Sequence, residues 1–306
     1  DPLVKACSKT DNFVIGFSQA NNAEPYRQHV NDELTAEAKK VPNFTLQIAD
    51  GAGNVNTQTS QVDNFITQKV DLLLISPFEA APLTPAIKRA MDAGIPVIEL
   101  DRKSVGDPGK DYTAFIGGDN YKIAMAAGEY TATKLLPDGG EVAVLEGLPS
   151  STPAVERLNG FKDGVKGNSK IQVVAEQAAD WLPDKAQTAF AAMLQAHPDI
   201  KMVYASNDMM AAGARLAAKR AGKEKQIAII FAGTNGMLDD LPLDQIKAFE
   251  QELYRFLENA HPAILTTIKE KKTIDDDLKG KLNSALQEFK SRFVQAQTHK
   301  AAAARK

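Results

Sequence analysis

Apolar residues along the chain fall into two alternating rhythms. FVIGF at 13–17, FTLQIAD from Phe44, DLLLIS from Asp71 and IPVIEL from Ile95 are short apolar or β-branched runs, and each is followed by a longer amphipathic stretch. In the stretch after the second run, Val55, Val62, Phe65, Ile66 and Val70 recur near helical spacing; after the third, Leu83, Ile87, Ala90 and Met91 do the same. Beyond the loop KSVGDPGKD the alternation resumes with YTAFIGG, a helix from Asn120, EVAVLEG, a helix around 155–165, KIQVVAEQ, a helix from Asp184, IKMVYAS, a helix from Met209, and QIAIIF. Strands alternating with helices need crossover connections, which makes the sheets parallel, and near-continuous apolar strands suit sheets covered on both faces. The pattern predicts an α/β fold of two lobes, 11–116 and 117–232, with parallel sheets flanked by helices and one clear crossing between them through 103–112. The second lobe reads as incomplete. Past Gly236 no run of strand length occurs; Ile246, Phe249, Leu253 and Phe256, then Leu278, Leu282, Leu286 and Phe289, keep helical spacing. Pro242 stands near a helix start and Pro262 breaks the run, so 233–306 reads as an all-α tail.

Composition narrows the classes. A chain of 306 residues, 43% hydrophobic and 25% charged, is ordinary globular material of about two domains. The net charge of -3, with Lys and Arg interspersed among acids, argues against a nucleic-acid partner. No apolar run approaches the roughly 20 residues that span a bilayer. The sequence begins at Asp1 without Met or an apolar signal core and so reads as already processed. Cys7 is the single cysteine, which rules out an internal disulfide. Its setting, LVKACSKTDNF, has a small residue before Cys7 and a polar tether after it, like a bacterial lipoprotein cleavage site, although Lys5 departs from that pattern. A lipid anchor at Cys7 competes with the plainer reading of an isolated thiol on a terminus.

Ligands of parallel sheets sit beyond the carboxyl ends of the strands, and those ends are polar here. They supply Gln19, Asn21, Asn22, Tyr26, Arg27, Ser76, Asp101, Arg102, Arg157, Trp181, Asn207 and Asp208. Carboxylates, guanidinium forks, amides and aromatic faces together suit a monosaccharide, whose hydroxyls both donate and accept while its C–H face packs on a ring. The plainer readings are a surface ion pair for Asp101 and Arg102, core packing for Trp181, and a helix cap for Asp208, which leaves Asn207 as the ligand contact. Catalysis finds little support. His29, His197, His261 and His299 lack metal-ligand spacing, Cys7 has no partner base, and only Asp101, Glu146 and Asp208 could form an acid/base pair. No GxxxxGK[ST] loop occurs, and the reading calls for no cofactor. A sugar-responsive repressor would need a helix-turn-helix ahead of the first strand, where only about a dozen residues stand.

At these positions the chain resembles a known family. GFSQANNAEPYRQ, IPVIELDR, GGDN, VERLNGFKDGV and YASNDMMAAGA, in order across about 11–230, are similar to the type I periplasmic sugar-binding proteins that serve ABC transporters for ribose, galactofuranose and related sugars. The resemblance implies a periplasmic or lipid-anchored protein that delivers a monosaccharide to a membrane permease. It implies that Asp101, Arg102, Arg157 and Asn207 bind hydroxyls and that Tyr26 and Trp181 clamp the ring. In that family the strand matching QIAIIF ends in an acid facing the sugar, and the chain then returns to the first lobe; here the position reads Phe231, Ala232, Gly233. Instead the segment from IIFAGTNGMLDDLP onward resembles the C-terminal helical domain of the ATP synthase F1 α subunit. The chain therefore reads as composite, with sugar affinity weaker than that of a complete member.

Overall fold

The computed structural model describes residues 12–224, 227–231 and 246–271 and, beyond Lys271, residues 278, 281, 284–286, 288, 289 and 291–293. Cys7, Leu282 and the segment 232–245 lie outside the described residues, and the join expected within QIAIIFAG falls partly among them. The chain divides into two compact units, Asp1–Ala232 and Gly233–Lys306.

In the first unit the predicted alternation forms two parallel sheets. β1 (Phe13–Gln19), α1 (Pro25–Ala38), β2 (Phe44–Asp50), α2 (Val55–Gln68), β3 (Leu72–Ile75), α3 (Ala80–Asp92), β4 (Val97–Leu100) and β5 (Ala114–Ile116) follow in sequence. Their strands order as β2-β1-β3-β4-β5. After α4 (Asn120–Tyr130) and a π turn (Thr131–Leu135) come β6 (Gly140–Glu146), α5 (Thr152–Val165), β7 (Ile171–Ala178), α6 (Pro183–Ala196), β8 (Ile200–Ala205), α7 (Asp208–Arg220) and β9 (Ala228–Phe231). These strands order as β7-β6-β8-β9. In each sheet the first strand feeds a neighbour on one side and the next strand on the other. That reversal opens a crevice at the carboxyl ends of β1 and β3, and again at those of β6 and β8.

One expectation is corrected. Residues 103–112 do not cross between lobes: Thr113 N–H donates to the Val97 carbonyl and β5 then pairs with β4, so the segment is a loop that returns to the first sheet. The chain passes to the second sheet only after Ile116, through Gly117 and Gly118 into α4.

Local chemistry explains the helix starts. α1, α5 and α6 each carry Pro in the first turn, where its missing N–H costs nothing and its φ is already helical. Asn54 caps α2 by accepting from Thr57 N–H, and Asp119 caps α4 by accepting from Lys122 N–H. The first sheet's core gathers Val62, Phe65, Leu73, Ile75, Leu83 and Ile87. The second sheet is covered on both faces, by Leu145, Phe190, Val203 and Met210 on one and by Val144, Phe161, Met202 and Tyr204 on the other. α4 and α5 approach so closely that a Cβ on Gly160 would lie 2.1 Å from the Tyr121 carbonyl oxygen, and one on Gly164 2.3 Å from that of Met125.

The second unit is helical where described. α8 (Ile246–Ala260) and α9 (Pro262–Lys271) bury Leu257 and Ile264 with Leu278 and Ala285, while Leu253 and Phe256 pack on Phe289 and Phe293.

Candidate functional site

Pro25 starts α1 directly after the β1 loop, which carries Arg27 back into the end of the first sheet. Arg27 is 3% exposed. Its Nη1 donates to Ser76 Oγ at 2.8 Å and to Gln19 Oε1 at 3.3 Å, and its Nη2 lies 2.8 Å from Asp101 Oδ2. Glu24 adds a second carboxylate 3.6 Å from Nε. Tyr26 donates its hydroxyl to Asp101 Oδ1 at 3.3 Å, and the phenol is pushed up to about 12 by partial burial and then by the Asp101 charge. Gln19, Tyr26, Arg27, Ser76 and Asp101 thus form one network. Asn21 and Asn22 shape the loop beside it: Asn21 bridges Ala23 N–H and Glu24, and Asn22 accepts from Asn31.

Asp101 leaves β4 with φ of 62°, a left-handed conformation that Asp tolerates better than most residues. The turn places Asp101 beside Arg27 and sends Arg102 into the crevice. Arg102 is 2% exposed, and its Nη1 donates to the Phe78 carbonyl at 3.1 Å. Its guanidinium stands 5.7 Å from the centre of the Trp181 ring. Burial and the neighbouring Arg27 push it down to about 9, so it remains cationic at neutral pH.

The second lobe contributes Arg157, Trp181 and Asn207. Arg157 is 8% exposed and donates Nε to Asn120 Oδ1 at 2.9 Å and Nη1 to the Ser206 carbonyl at 2.6 Å. Its guanidinium lies 5.6 Å from the Trp181 ring. Trp181 itself is 5% exposed and has φ of 71°, an unusual conformation for so bulky a residue. Two features hold it there: a Cβ on Gly147 would sit 2.1 Å from the indole, so only glycine fits beneath it, and Asn207 Nδ2 donates to the Trp181 carbonyl at 3.1 Å. Left-handed strain at both Asp101 and Trp181 marks the places where the two lobes bring their side chains together. Among the described residues the Trp181 indole N–H has no acceptor.

Asn207, not Asp208, is the helix cap. Its Oδ1 accepts from Met210 N–H at 2.8 Å and α7 begins at Asp208, because the extended backbone at Asn207 is the geometry from which a short amide reaches the N3 donor. Asp208 occupies the first turn, where burial pushes its carboxyl up. Glu146 ends β6, where burial and then the Glu176 charge raise its carboxyl and Lys162 opposes them.

Three buried polar residues went unread in the sequence: Gln58, Asn120 and Glu24. Gln58 lies in α2 and ties together the ends of β1 and β3, donating to the Ser18 and Ser76 carbonyls and accepting from Phe78 N–H. A signal was present, since Gln58 shares the apolar stripe with Val62 and Phe65 at helical spacing.

The lobes meet directly across the crevice. Thr152 Oγ1 accepts from Lys103 N–H at 2.9 Å, Lys103 Nζ lies 2.7 Å from Glu156 Oε1, and Ala80 N–H donates to the Ser150 carbonyl at 2.9 Å.

Comparison with known proteins identifies this architecture. Residues 15–249 match the family model of the periplasmic binding protein domain. A ribose import binding protein of Bacillus subtilis is 35% identical over 274 residues, covering 87% of this chain and 86% of that protein. The chain belongs to the type I periplasmic sugar-binding proteins. Among other members of this sugar-binding family, a galactofuranose-binding protein of Escherichia coli is 30% identical over 230 residues, 74% of this chain and 72% of its own. The crystal structure of a galactofuranose binding protein superposes with a TM-score of 0.68 at 30% identity, covering 72% of this chain and 75% of its own. The fructose-binding periplasmic domain of a hybrid two-component system gives 0.69 at 31% identity, covering 92% and 99%. Residues 217–289 also match the ATP synthase alpha/beta chain, C-terminal domain. The two family matches overlap over 217–249, and at 87% of the chain the Bacillus subtilis alignment extends past Ala232. Sugar-binding-protein similarity therefore continues into the segment where the helical tail begins.

Proposed function

We propose that the chain captures a monosaccharide between its two lobes, leaves it chemically unchanged and delivers it to the membrane permease of an ABC transporter. The convergence of Gln19, Tyr26, Arg27 and Asp101 from one lobe with Arg157 and Trp181 from the other, at the carboxyl ends of both sheets, carries this reading. Arg102 lies between the two sets. A hydroxylated ring suits such donors and acceptors, and the Trp181 indole N–H offers one further donor.

Delivery to a permease implies an extracytoplasmic location, with Cys7 as the proposed point of a lipid anchor. No helix among the described residues is long and apolar enough to cross a membrane. The helical unit is proposed as a structural appendage, because its described apolar residues pack on one another.

Trp181 is the only tryptophan, so its emission reports on the crevice. Titration of the full chain with a panel of monosaccharides should give a saturable change with at least one sugar, and that sugar should be recovered intact after long incubation. A flat response across the panel, or a product peak, would reject the reading.

A further inference from the structure

Gln58 is a polar residue of α2 that is 0% exposed. Gly51 keeps room for it, since a Cβ there would stand 2.5 Å from Gln58 Cγ and 2.7 Å from the Gln19 carbonyl oxygen. Both ends of the Gln58 amide are committed to backbone. Its Nε2 donates to the Ser76 carbonyl at 3.1 Å and to the Ser18 carbonyl at 3.3 Å, and its Oε1 accepts from Phe78 N–H at 2.7 Å. Ser76 N–H donates to the Ser18 carbonyl at 3.0 Å, and Pro77 has no N–H to offer. The next backbone donor after β3 is therefore the one that Gln58 holds.

The clamped segment serves the crevice at every second residue. Ser76 Oγ accepts from Arg27 Nη1 at 2.8 Å, the Phe78 carbonyl accepts from Arg102 Nη1 at 3.1 Å, and Ala80 N–H donates to the Ser150 carbonyl of the other lobe at 2.9 Å. The bond to Phe78 is the one hydrogen bond of the Arg102 side chain among the described residues, so the aim of its guanidinium follows the position of that carbonyl. Without the amide, the Ser76 carbonyl and Phe78 N–H lose their partner in a buried place and the segment relaxes to satisfy them elsewhere. We propose that Gln58 is a positioning residue for ligand capture: by fixing 76–80 it sets the aim of Arg102, and sugar affinity depends on it although its own amide is spent on backbone. The proposal rests on the reading of the chain as a monosaccharide-binding protein with Arg102 among the groups that hold hydroxyls.

Calorimetric titration of the full chain with ribose, allose, galactose and fructose identifies the tightest-binding sugar, which then probes a double-mutant cycle of Gln58→Met and Arg102→Ala. Gln58→Met keeps the side chain's bulk and removes the amide. It should weaken that sugar about tenfold or more in the parent and by no more than about twofold where Arg102 is already Ala, the spread expected of uncoupled sites. Val62→Ala, one turn further along the same face of α2, controls for stability: it should lower the melting temperature and leave affinity within about twofold. Equal losses in the two backgrounds, unchanged affinity in Gln58→Met or in Arg102→Ala, or a loss in Val62→Ala as large as that in Gln58→Met would overturn the proposal and leave monosaccharide capture intact. If Gln58→Met lacks a cooperative thermal transition, amide exchange on the parent chain decides. Because coupling is reciprocal, saturation with the sugar should slow exchange at Phe78 N–H more than at Val62 N–H, and equal slowing would overturn the proposal. Absence of heat with all four sugars would remove both the proposal and the reading beneath it.

Discussion

Arg27 ties together the ends of β1, β3 and β4 through Gln19, Ser76 and Asp101. Removing one side of a buried ion pair leaves the other charge uncompensated, a cost of about 3–5 kcal/mol. Arg27→Met should lower the unfolding free energy by that order in urea denaturation; an unchanged midpoint would mean the network contributes nothing. Asn207 offers a second test at this scale. As the cap of α7, Asn207→Ala should cost about 1 kcal/mol, whereas Asp208→Asn should cost clearly less, and the reverse ranking would restore Asp208 as the cap. Most of these residues were legible because they directly follow apolar strands: Gln19, Asp101, Arg102 and Trp181 stand where a parallel sheet presents its ligands. Asn207 and Asp208 were not separable, since both are good caps and only the backbone angle at Asn207 decides between them. Gln58 and Asn120 were missed because a polar residue inside an amphipathic helix is usually solvated, and only the packing shows that these face inward.

The packing of α4 on α5 sets the position of Arg157 relative to its partner Asn120. Gly160 and Gly164 permit that approach, and a methyl group on Gly160 would collide with the fixed Tyr121 carbonyl rather than with a flexible side chain. Gly160→Ala should therefore cost about 1–3 kcal/mol by overpacking, measured by thermal unfolding; a parent-like melting temperature would show that the helices separate freely. β4 carries a different element-scale feature, the buried Glu99, which accepts from Ser104 N–H at 3.1 Å and so shapes the loop after Arg102. Burial raises its carboxyl above the ordinary value of 4.5. A raised native value means the folded chain holds this proton more tightly than the unfolded chain, so ionisation opposes folding. That penalty is absent below the ordinary value and complete above the raised one. Glu99→Gln, which keeps an acceptor for Ser104, should gain stability relative to the parent as pH rises through that window; a constant difference in urea unfolding across it would contradict this. The strands and helices were readable from their two periods. The course of 103–112 was not, because β5 has only three residues and nothing in so short a run states which sheet it joins.

At the scale of the molecule, the first unit's lobes are held by contacts that need no ligand: Thr152 to the Lys103 backbone, Lys103 to Glu156, and Ala80 to Ser150. The Lys103–Glu156 pair is about a third exposed on the lysine side and contributes less than about 1 kcal/mol, so the partly buried Thr152 contact to the Lys103 backbone should matter more. Thr152→Val should enlarge the ligand-free radius of gyration in solution scattering and weaken ligand binding together; a change in neither would separate this contact from closure. The two-lobed architecture and the helical tail were both visible as a change of hydrophobic period after β9. The boundary between the two resemblances was blurred because the two family matches overlap over 217–249. The most direct test of monosaccharide capture is calorimetric titration of the full chain and of Arg157→Ala with the same sugar panel. One sugar should bind the parent saturably at one site per chain, and Arg157→Ala should weaken it about tenfold or more. Absence of heat with every sugar, or equal binding by the two proteins, would contradict the account.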